Sequence, residues 1–363
     1  MKKFALFLPQ FHEIPENDAW WGKGYTEWTN VKSAKPFYSG HIQPKAPLND
    51  NYYDLRNKET VTWQTQLMHD YKIDGLAYYH FYSKGKKLLE KPAENLLHWK
   101  EIDQKFFFVW ANHDWYRTRD GKKTLIMKQE YGSKEDWEIH FQYLLKFFND
   151  SRYEKKNNMP IFGVFNPFPG KEEIFKYFNS RCIQEGFSGI YIFECYASTS
   201  ILSYPYDFYR FEKNTSDYTS AIHIRQPITS IYERYKGIIK WTYACYRLWM
   251  KRVKRKGQKI VVIDGNKLID DYLNLKQPVY KKEIIPGIFF EWDNTARHKN
   301  RGYVITPIDK NHFYKWMNHC KENEYVLFNA WNEWAEYMVL EPSKENGYKY
   351  LEWIKQWSEE NII

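Results

Sequence analysis

The segment YVLFNAWNEWAE, residues 325–336, decides how the fold is interpreted. Its first four residues form an apolar run of the kind found in a buried strand of a parallel sheet. Asn, Trp and Glu side chains follow directly, in the order Trp331-Asn332-Glu333-Trp334. An apolar strand followed by carboxylate and amide groups is typical of a strand of an α/β barrel, where the functional groups lie at the carboxyl end.

Eight such strand candidates alternate with helical patterns along the chain. The strands are predicted at residues 4–8, 75–80, 106–111, 160–165, 189–194, 206–211, 287–292 and 325–330. The helices include 60–71, 134–148, 171–185, 267–275 and 309–322, with caps at Ser133 and Asn266. This alternation predicts an α/β protein, a single (β/α)8 TIM barrel domain over residues 1–363. The long stretches 9–53 and 213–286 are expected to be βα loops that form the active-site face.

The composition excludes several classes of protein. With 43% hydrophobic residues the chain has enough material for a core, and no run approaches the ~18 apolar residues of a membrane span. The four cysteines lie far apart, without the spacing of a zinc site or a disulfide framework. No Gly-x-Gly-x-x-Gly follows a strand, which argues against a dinucleotide site. We therefore expect a cytoplasmic protein with no metal and no cofactor.

The net charge of +9 is spread along the chain except in the segment 241–258, where an aromatic run precedes a basic one. We interpret this segment as a solvated surface helix, and a peripheral contact with the anionic face of the inner membrane is the alternative. The spread charge gives no indication of nucleic-acid binding. Nothing in the sequence indicates an obligate protein partner.

The exits of the predicted strands are rich in Trp, Tyr, His and acidic residues, as expected of a pocket for sugar rings. The 16 Trp and 31 Tyr supply flat faces with a polar tip, although filling the core is the alternative use. The predicted substrate-binding residues are His12, Trp21, Tyr25, Glu27, Trp28, Tyr79, His80, Trp110, Asn112, His113, Trp115, Glu291, Trp292, Asp293, Arg297, Asn332, Trp334 and Glu341.

Glu333 and Glu336 are the candidate catalytic residues, because glycoside chemistry uses two carboxyl groups in different protonation states. Three residues apart, they share one face if the chain turns helically after the strand. Their proximity beside Trp331 and Trp334 is expected to raise the pKa of at least one of them. The alternative is that both glutamates simply open a helix, where the helix dipole favours acidic residues.

Taken together, these motifs resemble the WbsX family, often described as glycosyltransferases of polysaccharide biosynthesis and related to glycoside hydrolase family 99. The matching segments are residues 8–12, 16–18, 20–28, 41–44, 52–56, 78–80, 110–112, 292–295, 329–336 and 340–342. The resemblance implies a barrel and a metal-independent reaction with retention. It further implies that Glu333 deprotonates the sugar 2-hydroxyl and that Glu336 is the general acid and then the base. The chain departs from the family at His113-Asp114-Trp115, where Glu-Asn-Trp is common.

The predicted function is a retaining glycoside hydrolase or transglycosidase. Its expected substrate is a bacterial surface polysaccharide, such as an O-antigen of lipopolysaccharide or a capsule, or a precursor of one. Two alternatives remain open: a glycosyltransferase that uses a nucleotide sugar, and a catalytically silent glycan-binding protein. The chain shows no Asp-x-Asp metal motif and no His-Glu-x-x-His.

Overall fold

The structure is a computed structural model that describes residues 1–119, 122–196, 206–225, 242, 245, 260–274 and 279–361. Eight parallel strands form its centre. They are β1 Lys2–Phe7, β2 Gly75–Ser83, β3 Phe106–Trp110, β4 Met159–Val164, β5 Tyr191–Tyr196, β6 Thr219–Ile224, β7 Glu283–Ile288 and β8 Tyr325–Phe328. Neighbouring strands pair in chain order, and β1 pairs with both β2 and β8, so the sheet closes. This confirms the predicted (β/α)8 barrel.

Helices surround the barrel and lie in its connecting segments. They are α1 Pro15–Trp21, α2 Glu27–Lys32, α3 Lys58–Asp70, α4 Lys91–His98, α5 Lys134–Phe148, α6 Lys171–Gln184, α7 Tyr206–Lys213, α8 Gly265–Leu273, α9 Thr295–His298, α10 Lys310–Cys320 and α11 Lys349–Glu360. Single 3-10 turns occur at Leu48–Asp50 and Lys299–Arg301. The capping box predicted at Ser133 forms with Asp136, whereas the cap of α8 is Asp264 and not Asn266.

Short strands outside the barrel build its rim. Lys86–Leu88 pairs with the end of β2, and Lys155–Lys156 pairs with β4. Trp115–Arg119 and Lys122–Met127 form a hairpin, as do Asn332–Glu333 and Met338–Val339. Val261–Ile263, Tyr303–Ile305 and Trp292–Asp293 form a separate three-stranded sheet.

The sixth predicted strand is wrong, and the seventh is shifted. Residues 206–211 belong to helix α7. Phe208 and Phe211 are three residues apart in the sequence, which is a helical spacing, but the many aromatic residues of this run favoured a strand. The sixth strand is the buried run TSAIHI of β6, which lies inside the stretch 213–286 that was predicted as one loop. Strand β7 ends at Ile288, because the chain leaves the barrel before Trp292 enters the rim sheet.

Successive residues of each barrel strand face opposite sides of the sheet. Phe4, Phe107 and Phe193 face the barrel interior, with ring centroids 4.9 Å and 5.9 Å apart in turn. Phe108 and Trp110 face outward, where they pack against the rings of Phe147 and His140 on α5. This alternation decides which side chains at a strand exit reach the active-site face.

None of the described helices is long and apolar enough to cross a membrane. The basic and aromatic segment 241–258 lies outside the described residues, apart from 242 and 245. The single domain over residues 1–363 stays a prediction.

Candidate active site

Glu333 and Glu336 lie together on a tight hairpin at the carboxyl end of β8. Asn332–Glu333 pairs antiparallel with Met338–Val339, and the backbone N–H of Glu336 donates to the Glu333 carbonyl at 3.1 Å. The two carboxyl groups are therefore brought together by a β-turn. The expected helical turn is wrong, and so is the alternative that these residues open a helix, since α11 begins only at Lys349.

Buried polar groups fix this hairpin to the barrel. The side chain of Asn332 accepts from the Leu8 N–H at 2.8 Å and donates to the Leu8 carbonyl at 3.1 Å, which joins it to the exit of β1. Glu341 accepts hydrogen bonds from Trp334 at 2.8 Å, Tyr53 at 2.8 Å and Gln64 at 2.6 Å. Burial raises the pKa of Glu341 to about 7 although these three donors oppose the shift.

Arg297 connects Glu336 to a second, fully buried carboxylate. Its guanidinium donates to Glu336 Oε1 at 3.0 Å and to Glu27 Oε1 at 2.5 Å. The Trp292 indole donates to the other oxygen of Glu336 at 3.0 Å, so both oxygens of Glu336 accept hydrogen bonds. The Glu27 side chain is 1% exposed, whereas that of Glu336 is 22% exposed and within reach of a ligand. Burial alone would lower the pKa of Arg297, but Glu27, Glu336 and Glu333 raise it.

The Glu333 carboxyl group is buried beside another negative charge, whereas the Glu336 carboxylate is held by an arginine. Burial and the neighbouring charge of Glu336 raise its pKa to about 7, although Arg297, Arg225 and a hydrogen bond with Tyr79 oppose the shift. A carboxyl group with this pKa retains a proton near neutral pH. The raised pKa of Glu333 agrees with the expectation for one of the two glutamates, and Glu336 accepts hydrogen bonds at both of its oxygens.

Aromatic rings extend from the pair in three directions. Tyr79 meets the edge of Phe165 at 5.7 Å, and Phe165 lies 5.9 Å from His113, which stacks on Trp115. The rings of Trp21 and Tyr25 stack at 5.4 Å, and the charges of both Glu27 and Arg297 act on the Tyr25 hydroxyl. Trp292 stacks on Tyr303, which is 40% exposed. Flat, partly exposed rings beside carboxyl groups suit the faces of sugar rings.

Several predicted site residues lie behind the sheet. The side chains of His80 and Trp110 lie on the outer side of the barrel sheet. His80 Nε2 lies 2.9 Å from His140 Nε2, and the Trp110 indole donates to the Tyr82 carbonyl at 2.9 Å. The Asn112 amide is buried and donates to the carbonyl of Asn166 at 2.8 Å. These side chains support the loops around the site and do not reach its surface.

Other predicted residues are buried in separate networks. The Glu291 carboxylate forms hydrogen bonds with Lys45, Asn346 and Tyr350. The Asp293 carboxylate forms hydrogen bonds with His41, Gln43 and Thr295. Trp28 and Trp334 are 5% and 2% exposed, and their rings pack at 5.6 Å. His12 is 1% exposed, and burial lowers its pKa to about 4. The residues that the structure does bring to the pair are Trp21, Tyr25, Glu27, Tyr79, His113, Trp115, Trp292 and Arg297.

Sequence reasoning missed three residues beside the pair: Phe165, Arg225 and Tyr303. Arg225 directly follows β6, which was assigned to the wrong segment, and the β-branched run TSAIHI was the signal that would have located it. Tyr303 lies in the rim sheet, whose pairing with Trp292–Asp293 is not encoded in any local pattern.

Two cavities lie away from the pair. One of about 790 Å³ is at the amino end of the barrel, between Lys3, Asp74, Lys105 and Lys321. The other, of about 490 Å³, lies behind Trp334 and Glu341. Neither is lined by Glu333 or Glu336. Among the described residues, no group of three or more His, Cys, Asp or Glu side chains is arranged to hold a metal ion.

Comparison with known proteins gives similarity over nearly the whole chain. Residues 3–354 match the family model described as Glycosyltransferase WbsX. The protein WxcX from two strains of Xanthomonas campestris pv. campestris is 27% identical over 366 residues, which cover 97% of this chain. The match covers 49% of WxcX, so the chain spans about half the length of the curated relatives it matches.

Solved structures with the same barrel include a GH99 endo-alpha-mannosidase from Bacteroides thetaiotaomicron. It aligns with a TM-score of 0.56 at 13% identity and covers 99% of this chain and 96% of its own. A protein described as glycoside hydrolase-like aligns with a TM-score of 0.57 at 13% identity, over 100% of this chain and 94% of its own. The structural likeness, at 13% identity, establishes the fold. The chain belongs to the WbsX glycosyltransferase family.

Proposed function

We propose that the chain is a retaining glycoside hydrolase or transglycosidase that breaks a bond in a bacterial surface polysaccharide or its precursor. The observation that carries this proposal is the pair Glu333 and Glu336 on one turn, where burial and Glu336 raise the pKa of Glu333 to about 7 and Arg297 holds Glu336. Glycoside cleavage needs one carboxyl group that gives a proton to the leaving oxygen and one that is ionised.

The surroundings of the pair support the same chemistry. Arg297 and Trp292 hold the Glu336 carboxylate by both oxygens, which restricts its orientation. Tyr79 contacts Glu333, whereas Arg297 and Trp292 hydrogen-bond Glu336, so the two carboxyl groups differ in their hydrogen-bond partners. The rings of Trp21, Tyr25 and Trp292 provide surfaces on which sugar residues can stack.

Burial raises the pKa of Glu333 in the free site, whereas the resemblance assigns the general acid to Glu336. The family's reaction requires Glu333 to be ionised and Glu336 protonated when the sugar is bound. Glu333 then takes the proton of the 2-hydroxyl, the 2-oxygen bonds to the anomeric carbon as the glycosidic bond breaks, and Glu336 gives its proton to the leaving oxygen. Water or an acceptor hydroxyl, deprotonated by Glu336, opens the resulting ring at the anomeric carbon, and the 2-oxygen regains a proton. Substrates with a highly activated leaving group test this assignment, because they need no acid and restore turnover only in the variant that lacks it.

The central test is Glu336→Gln, with Glu13→Gln as a matched control. Glu13 is exposed and lies outside the pair. Purified variants are incubated with the surface polysaccharide of the host, and the products are followed by mass spectrometry. We expect Glu336→Gln to abolish turnover and leave glycan binding largely intact, and Glu13→Gln to behave as the unsubstituted protein. If Glu336→Gln kept most of the activity, the proposed acid would be wrong.

The family description favours a second candidate, transfer of a sugar from a nucleotide donor. Isothermal titration with nucleotide sugars separates the two functions, since micromolar binding supports transfer and its absence supports hydrolysis or transglycosylation. A protein that binds a glycan without cleaving or extending it would be the catalytically silent alternative. A cytoplasmic location, with residues 241–258 in peripheral contact with the inner membrane, stays a prediction.

A further inference from the structure

Arg225 is a second guanidinium group beside the carboxyl pair. It directly follows β6 and lies two residues after His223, so its side chain has the inward parity of that strand. Its guanidinium carbon lies 4.1 Å from the centroid of the Phe165 ring. The Asn329 amide donates to the backbone carbonyl of Arg225, which ties the exit of β6 to the exit of β8.

This position places the cation next to Glu333. Phe165, on which Arg225 rests, meets the edge of Tyr79, and Tyr79 in turn contacts Glu333. The charge of Arg225 acts on three groups of the site: it lowers the pKa of Glu333 and of Tyr79, and it adds to burial in lowering the pKa of His113 to about 4. Arg225 is therefore within electrostatic reach of the groups that would surround the bond to be cleaved.

The two arginines of the site differ in their partners. Arg297 is neutralised by Glu27 and Glu336, at 2.5 Å and 3.0 Å. Among the described residues no carboxylate forms an ion pair with Arg225, and its Nε is buried without a hydrogen-bond partner. A buried donor on a cation costs free energy unless an acceptor satisfies it. The charge of Arg225 lowers the pKa of Glu333, whereas burial and Glu336 raise it.

We propose that Arg225 binds an anionic group carried by the glycan, so that the sugar next to the cleaved bond is an acidic one. A guanidinium presents its donors as a planar fork that matches a carboxylate or a phosphate with two parallel hydrogen bonds. Stacking on Phe165 fixes the plane of that fork. The inference rests on the proposed function for the identity of the ligand as a glycan.

A purely structural role for Arg225 makes a different prediction. The hydrogen bond from Asn329 goes to the backbone of residue 225, so it survives substitution of the side chain. If the guanidinium only filled space on Phe165, Arg225→Met would change stability and would not change the discrimination between acidic and neutral sugars.

The test measures binding and does not depend on turnover. Glucuronic acid, galacturonic acid and glucose 6-phosphate are titrated against glucose and galactose, by ligand-detected NMR, with the unsubstituted protein, Arg225→Met and the control Arg56→Met. Arg56 is exposed and paired with Asp54 on the surface, so its loss removes one positive charge outside the site. Circular dichroism and thermal unfolding establish that each variant is folded.

We expect at least one acidic sugar to bind more tightly than its neutral counterpart, and Arg225→Met to weaken it about 10- to 100-fold, the range of a charge-assisted hydrogen bond. Binding of the uronic acids identifies a carboxylate ligand, and binding of glucose 6-phosphate alone identifies a phosphate. Arg56→Met should leave the preference unchanged. Equal binding of acidic and neutral sugars, or an acidic preference that survives Arg225→Met, would overturn the inference. An Arg225-dependent preference without any glycan cleavage would instead contradict the proposed function.

Discussion

Replacing Glu333 by Gln should make the protein more stable at neutral and alkaline pH. Burial and the charge of Glu336 raise the pKa of Glu333 to about 7 in the folded protein, from an ordinary value of 4.5. Between these two pH values the folded protein holds a proton that the unfolded chain has released. The free energy of unfolding therefore falls as the pH rises through this window, and above it the full penalty is present.

The size of the penalty follows from the displacement of the pKa. One pKa unit corresponds to about 1.4 kcal/mol, so Glu333 costs up to about 3 kcal/mol above pH 7. The unfolding entropy scales with chain length, so in a chain of this size a change of about 1 kcal/mol in the free energy of unfolding shifts the melting temperature by about 1.3 °C. Glu333→Gln has no charge to desolvate, so we expect it to melt about 4 °C higher at pH 8.5. The gain should be absent at pH 4.5, where the carboxyl group is protonated in the folded protein.

Thermal unfolding followed by circular dichroism at pH 4.5, 6, 7 and 8.5 measures this difference. Glu13→Gln serves as the control, because Glu13 is exposed and its substitution should leave the melting temperature unchanged at every pH. The reasoning is refuted if Glu333→Gln melts lower than the unsubstituted protein at pH 8.5, or if its gain is the same at all four pH values. The same variant should lose turnover, because it removes the carboxyl group that is proposed to take the proton of the sugar 2-hydroxyl.

Three further substitutions test how the site is supported. Arg297→Met should lower the free energy of unfolding by about 3–5 kcal/mol in urea denaturation, because it leaves the buried Glu27 carboxylate unpaired. The double variant with Glu27→Gln should recover much of that stability without recovering activity. Additive losses in the double variant would contradict the pairing. Glu341→Ala should cost about 3 kcal/mol or more by leaving three buried donors unsatisfied, and an unchanged denaturation midpoint would show that the hairpin needs no such anchor. Gly287→Ala should lower the free energy of unfolding by about 1–3 kcal/mol and lower activity, because the added Cβ would lie 2.7 Å from the carbonyl oxygen of Arg225. Normal kinetics in this variant would mean that the strand exits can shift freely.

Some predictions followed from the chain alone because they depend on local order. Eight apolar runs separated by helical patterns specify a closed parallel barrel, since few other topologies place every crossover on the outside. The error at β6 was also local: the aromatic residues of α7 imitate a strand, whereas the true strand TSAIHI contains the polar residues Thr219, Ser220 and His223 among its apolar ones.

The sequence alone therefore determined the barrel and the family, because each depends on residue types at fixed spacings, and the catalytic roles of Glu333 and Glu336 stay a prediction. The tertiary structure decided which neighbours belong to the site. The parity of each strand turned Tyr79 toward the pair and His80 away from it, and closure of the barrel brought Arg225 and Arg297 beside Glu333 from distant parts of the chain. Burial and Glu336 raise the pKa of Glu333, whereas Arg297, Arg225 and Tyr79 lower it, so its value depends on contacts that the 325–336 segment does not encode.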